Sequence, residues 1–125
     1  YLQLNITGQR QYKIGYKAAC MTGRMAYLNT RPDGTGYLLV RHFDNNPTAT
    51  YSEEPPDQSG INGHSVHVYN EGGDFGGFGE MESSGQAIGG ATGRTTSTDT
   101  FQMWAYVGPV ERLTAILSTL TGAIP

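Results

Sequence analysis

Residues 76–84 read Gly-Gly-Phe-Gly-Glu-Met-Glu-Ser-Ser, a glycine-rich loop that runs directly into a short strand. Because side chains alternate across a strand, Glu80 and Glu82 project from one face and Met81 from the other. Two like charges on one face repel each other. Such a pair persists where water screens it, or where a ligand, a metal ion or a proton lies between the carboxylates. The stretch therefore predicts a β fold that carries an acidic pair on one sheet face.

The composition is that of an all-β protein with many turns. The chain has 125 residues, including 18 Gly and 8 Tyr, and only 15% of its residues are charged. A chain of this length forms one domain at most, and low charge with many Gly and Tyr also suits a surface that binds sugars. The net charge of -3, with eight scattered Lys and Arg residues, argues against nucleic acid as a partner. No apolar run approaches the length needed to span a membrane.

Alternation of apolar and polar residues, bounded by turn formers, predicts a series of short strands. These are residues 2–6, 12–14, 24–29, 37–43, 48–51, 65–69, 78–84 and 100–107. Turn-forming residues at 31–36 predict a hairpin between the third and fourth strands. The last strand has two distinct faces, with Phe101, Met103, Ala105 and Val107 on one and Gln102, Trp104 and Tyr106 on the other.

One helix is predicted after the last strand. Pro109 suits a first helical position, Glu111 falls in the first turn, where the helix dipole favours an acid, and Gly122 supplies a stop. Apolar residues recur at helical spacing between these ends, at Val110, Leu113, Ile116, Leu117 and Leu120. The fold predicted from the pattern is thus a set of strands followed by a single C-terminal helix.

Three short motifs in the second half carry a family resemblance. Residues 51–55 read Tyr-Ser-Glu-Glu-Pro, residues 65–72 read Ser-Val-His-Val-Tyr-Asn-Glu-Gly, and residues 79–84 read Gly-Glu-Met-Glu-Ser-Ser. In order and spacing they resemble the C-terminal part of galactose mutarotase-like β-sandwich proteins, the superfamily that includes the aldose 1-epimerases. The similarity covers roughly residues 37–107, and the third motif resembles the strand that carries the epimerases' catalytic glutamate.

The resemblance implies an antiparallel β-sandwich and a carbohydrate partner. No cofactor is expected. The resemblance places the general base at Glu82. In the enzyme hypothesis Glu80 tunes this base, and the residues that line the sugar pocket are His67, Tyr69, Asn70 and Trp104. The epimerases are much longer, and their catalytic histidines lie upstream of the matched region. Their proline-aspartate pair after the glutamate is also replaced here by residues 85–89. The resemblance therefore implies the C-terminal portion of a longer architecture, with upstream residues or a partner chain completing the sandwich and His67 as a substitute acid.

Each of these residues also has an interpretation without function. Glu80 and Glu82 can simply face solvent, His67 can be an ordinary satisfied histidine, and Trp104 can pack in a core with its N–H bonded. His64 and His67 are three residues apart, which on a regular strand puts them on opposite faces, so they are not expected to share a metal ion.

The loop that follows Asn70 offers a metal alternative. Glu71 and Asp74, with Glu80 nearby, provide oxygen ligands of the kind that calcium accepts, although the spacing does not match an EF-hand. Because Cys20 is the only cysteine, a cysteine-rich zinc site and an intrachain disulfide are excluded.

Three classes of function remain open. The first is a sugar-converting enzyme of the epimerase or mutarotase type, and the second is a carbohydrate-binding module without catalysis. The third is a structural or assembly subunit, such as a coat or filament protein, that self-associates. Localisation is left between the cytoplasm, which suits a lone cysteine, and secretion after processing, which suits the glycosylation sequon at residues 5–7 and a chain that starts with Tyr1.

Overall fold

The computed structural model describes residues 1–51 and 63–123, so residues 52–55 of the first motif lie outside it. The described residues contain six strands and one α-helix. In chain order these are β1 Tyr12–Tyr16, β2 Arg24–Thr30, β3 Thr35–Phe43, β4 Val66–Asn70, β5 Gly79–Ser83, β6 Phe101–Pro109 and α1 Val110–Thr121.

The chain divides into two compact units. One unit, here called the helix unit, is built from Gly23–Asp44 and Thr100–Pro125 and holds β2, β3, β6 and α1. The other, here called the carboxylate unit, is built from Leu2–Thr22 and Asn45–Asp99 and holds β1, β4 and β5.

The helix unit is a three-stranded antiparallel sheet in the order β2-β3-β6 with α1 packed against it. The predicted hairpin joins β2 to β3. In its turn the N–H of Gly34 donates to the carbonyl of Arg31 at 3.1 Å, and the carboxylate of Asp33 accepts from both the N–H and the hydroxyl of Thr35. The sequence prediction of this hairpin is confirmed.

The core of the helix unit lies between the sheet and α1. Leu38, Val40 and Leu113 are fully buried and form its centre. Other apolar side chains surround them, from Ala26, Leu28, Trp104, Tyr106, Ile116, Leu117 and Leu120. The helix stripe predicted from the 3.6-residue period therefore buries itself against one face of the sheet.

The C-terminal end of α1 agrees with the prediction, whereas the helix begins one residue later than predicted, because Pro109 is the extended last residue of β6. Pro109 directly precedes the first helical residue, and Gly122 ends the helix with φ of 75°, its N–H donating to the carbonyl of Ser118. A left-handed backbone of this kind is one that glycine adopts without strain.

The carboxylate unit contains a second antiparallel sheet in the order β1-β4-β5. Strand β4 is its centre, and β1, about fifty residues earlier in the chain, lies beside it. The described residues thus form two three-stranded antiparallel sheets with one C-terminal helix, and this all-β architecture confirms the predicted fold class.

Two predicted strands are wrong. Residues 2–6 form none, and the backbone of Asn5 bonds to a side chain. The Tyr12 hydroxyl donates to the carbonyl of Asn5 at 2.7 Å. Residues 48–51 also form none, because Asn46 organises a turn in which its carbonyl accepts from Ala49 and its side chain accepts from Thr48.

Candidate functional site

Strand pairing in the carboxylate unit places several polar side chains on one face. Tyr69 lies opposite Glu80, and His67 lies opposite Glu82. Lys13 on β1 lies opposite Tyr69 from the other side. Because directly opposed residues and alternate residues share a face, these five side chains occupy the same side of the sheet, here called the carboxylate face.

Glu80 and Glu82 interact with each other on this face. The hydrogen bond between their carboxyl groups raises the pKa of Glu80, and desolvation and repulsion from Glu82 raise it further, against an opposing effect of Lys13. The Lys13 Nζ lies 3.4 Å from Glu82 Oε2, with side chains 34% and 31% exposed. Of the ways in which an acidic pair can persist, the structure displays a neighbouring cation, the Lys13 ammonium beside Glu82.

An aromatic pair lies beside the carboxylates. The ring centroids of Tyr69 and Phe78 are 6.0 Å apart, and Phe78 remains exposed. The Tyr69 hydroxyl accepts a hydrogen bond from the Gln11 side chain at 2.8 Å. An exposed aromatic ring next to polar side chains is a surface on which sugar C–H groups can stack.

His67 belongs to the carboxylate face, but its side chain is buried. It is only 1% exposed, and its ring meets the ring of His64 edge-on, with centroids 5.4 Å apart and planes at 83°. The expectation that the two histidines lie on opposite faces of a strand is wrong, because β4 begins at Val66 and His64 precedes it. The structure brings the two imidazoles together.

Asn70 does not reach the carboxylate face. Its side chain is fully buried, and the alternation of β4 turns it away from Tyr69. Its Oδ1 accepts from the N–H groups of Thr7 at 2.9 Å and Gly8 at 3.1 Å, and its Nδ2 donates to the carbonyl of Arg10. These bonds attach residues 7–10 to β4. They also occupy the amide of Asn70, which was expected to contact a sugar.

Trp104 belongs to the helix unit. It packs against the buried cluster under α1, and the His42 ring meets it edge-on at a centroid distance of 4.7 Å. The His42 Nε2 in turn lies 2.7 Å from the carbonyl of Leu120. This environment matches the packing interpretation of Trp104, and Phe78 is the exposed aromatic residue that stands next to the carboxylates.

The loop proposed for calcium is organised by Glu71 itself. This side chain is buried, and its carboxylate accepts hydrogen bonds from the N–H groups of Gly73 and Gly77. Burial raises the pKa of the Glu71 carboxyl, but hydrogen bonds from the backbone outweigh it and leave the pKa below its ordinary value. Asp74 is exposed. Among the described residues no group of three or more His, Cys, Asp or Glu is placed to hold a metal ion.

Acid is expected to destabilise this loop. Because the folded pKa of Glu71 is lowered, its stabilising effect is complete above the ordinary value of 4.5 and is lost as pH falls through the folded value. We expect Glu71→Gln to lower the free energy of unfolding at pH 7, and this difference from the wild type to shrink toward pH 3. Urea titrations across that range measure it. A difference that stays constant with pH would show that the charge of Glu71 has no such role.

Comparisons with protein families, with curated proteins and with solved structures found no match to this chain. Within residues 1–51 and 63–123, no helix combines the length and the apolar composition that crossing a lipid bilayer requires.

Proposed function

We propose that the chain binds a carbohydrate on the carboxylate face and acts on it by proton transfer. The observation that carries this proposal is the placement of Glu80 and Glu82 on one face of β5, with Lys13 beside Glu82 and the exposed ring of Phe78 on the same face. The resemblance of residues 79–84 to the epimerase strand adds support, since it independently assigns the base to Glu82.

The chemistry needs one proton acceptor and one proton donor. When an aldose ring opens, the anomeric hydroxyl loses a proton while the ring oxygen gains one and the bond from that oxygen to the anomeric carbon breaks. In the proposal Glu82 accepts the first proton. Glu80 donates the second, because its raised pKa keeps it protonated at a higher pH than an ordinary Glu. Reclosure on the opposite face of the aldehyde gives the other anomer and returns both protons.

The aromatic pair serves binding in this scheme. A sugar ring stacked on Phe78 would bring its hydroxyl groups within reach of the carboxylates and of Lys13, which donates hydrogen bonds only. His67 is too deeply buried to touch the sugar, so its role as the acid is replaced in the proposal by that of Glu80.

The test measures binding and conversion separately. Freshly dissolved single anomers of several aldoses are followed by polarimetry with the chain present, and binding is measured by calorimetry. We expect saturable binding, faster interconversion, and loss of binding in Phe78→Ala. Phe75→Ala is the matched control, since Phe75 is an exposed phenylalanine on the loop before β5. Binding without conversion would favour the non-catalytic module, and no binding to any aldose would contradict the proposal.

Self-association is a second candidate, favoured by one observation. The face of the β2-β3-β6 sheet turned away from α1 exposes large apolar side chains, from Phe101, Met103 and Val107. The Arg41 guanidinium lies 4.4 Å from the centre of the Phe101 ring. Exposed apolar patches of this kind often mark protein interfaces.

If this face joins copies of the chain, light scattering should give a mass that rises with concentration. Val107, 80% exposed, is the position to change. We expect Val107→Lys to keep the chain monomeric, whereas Ala115→Lys, an exposed helix position, should not. A wild-type chain that is monomeric at every concentration would contradict self-association.

A further inference from the structure

Gly15 occupies an unusual place on the carboxylate face. It lies directly opposite His67, which lies directly opposite Glu82, so the three form one row across the sheet. Gly15 has no positive φ, so the backbone there does not require glycine. A methyl group at this position would overlap the imidazole of His64. The glycine is therefore explained by the space that the His64 ring fills.

His64 thus takes the position that a side chain of residue 15 would hold. Its ring stands over β1 and abuts the ring of His67 edge-on, with centroids 5.4 Å apart. His67 is almost fully enclosed, so a ring packed against one of its sides limits how it can turn. Across the row the order becomes His64, His67, Glu82.

The His64 side chain acts through the packing of its ring. Its Nδ1 is buried and has no hydrogen-bond partner among the described residues. A buried polar atom without a partner is unfavourable, so no hydrogen bond from Nδ1 explains why the ring lies here, and its contact with the His67 ring is what it contributes.

We propose that His64 is a positioning residue. His64 holds the His67 ring against Glu82. Gly15, which has no side chain, leaves the space that the His64 ring occupies. This inference rests on the proposed function, because Glu82 is the base there. His64 touches no substrate in this scheme and acts only through His67.

The experiment is a double-mutant cycle. We expect His64→Ala and Gly15→Ala each to lower kcat for anomer conversion by about tenfold or more, since a base misplaced by 1 Å can cost about 100-fold, while KM changes little. If Gly15→Ala acts by displacing His64, adding it to His64→Ala should cause no further loss. His64→Phe keeps a ring in place and should recover most of kcat. Gly108→Ala, at a strand position with open space around it, is the matched control.

A second readout keeps this inference separable from the proposed function. The ring proton signals of His67 in NMR spectra should move in His64→Ala and in Gly15→Ala, and should stay in place in Gly108→Ala. If the wild-type chain converts no sugar, the proposed function fails. The NMR spectra would still test whether His64 and Gly15 fix the position of the His67 ring. Losses that add in the double variant, or His67 signals that do not move, would overturn the positioning role.

Discussion

Replacing Glu82 with Gln should abolish sugar conversion while the chain still folds and binds. The amide is close in shape to the carboxylate but cannot accept the proton, and a positioned general base typically contributes about 10²–10⁴-fold to a rate. The ion pair with Lys13 is lost as well. Because that pair is partly exposed, its loss should change the free energy of unfolding by about 1 kcal/mol or less. Polarimetry gives the rate and calorimetry gives the sugar affinity.

The matched control is Glu111→Gln. Glu111 is an exposed acid in the first turn of α1, so the same chemical change is made on an element that is not part of the β1-β4-β5 sheet. We expect its conversion rate to equal that of the wild type. Conversion that survives in Glu82→Gln, or that falls equally in both variants, would rule out Glu82 as the base.

Replacing Leu38 with Ala should produce the largest loss of stability in the helix unit. Leu38 is fully buried at the centre of the cluster between the sheet and α1. Truncating such a leucine usually lowers the free energy of unfolding by about 2–5 kcal/mol, because apolar contacts are lost and a cavity remains. Urea unfolding followed by fluorescence reports on this unit, since Trp104 packs in the same cluster and is the chain's only tryptophan.

Val107→Ala is the control for this measurement. It removes apolar atoms from the opposite face of the same sheet, where Val107 is exposed. A surface change of this kind should alter stability by about 0.5 kcal/mol or less. Equal effects of the two substitutions would mean that α1 does not cover the Leu38 face in solution.

Local pattern was enough to predict most elements of the helix unit. The turn formers between β2 and β3, the alternation in β6 and the spacing of Leu113 in α1 are all encoded within short windows. Alternation also separated the two faces of β6 correctly. It could not say which face is covered, because that depends on where α1 lies. The face with Trp104 is the one that packs, and the face with Phe101 and Met103 is exposed.

The site was only partly predictable for a related reason. The position of Glu80 beside Glu82 follows from the period of a strand. The presence of Lys13 does not, because β1 pairs with β4 and no local signal specifies a partner so distant in sequence. His64 was misplaced because strand alternation was applied to a residue that precedes β4, and its side chain instead lies over Gly15. Glu71 was given only as an alternative metal ligand, and in the structure the N–H groups of the glycines after it bind its carboxylate.

The pairing of β1 with β4 has a consequence for how the chain folds. During translation β1 leaves the ribosome before β4 has been made. Its backbone hydrogen bonds to β4 can form only after about fifty more residues have been added. Closing so long a loop costs conformational entropy before the contacts between the strands can offset it, so such pairings form slowly. Lys13, which lies on β1, therefore joins the carboxylate face only after β4 has been made. A nascent chain stalled before β4 would expose the unpaired edge of β1 to chaperones or to other chains.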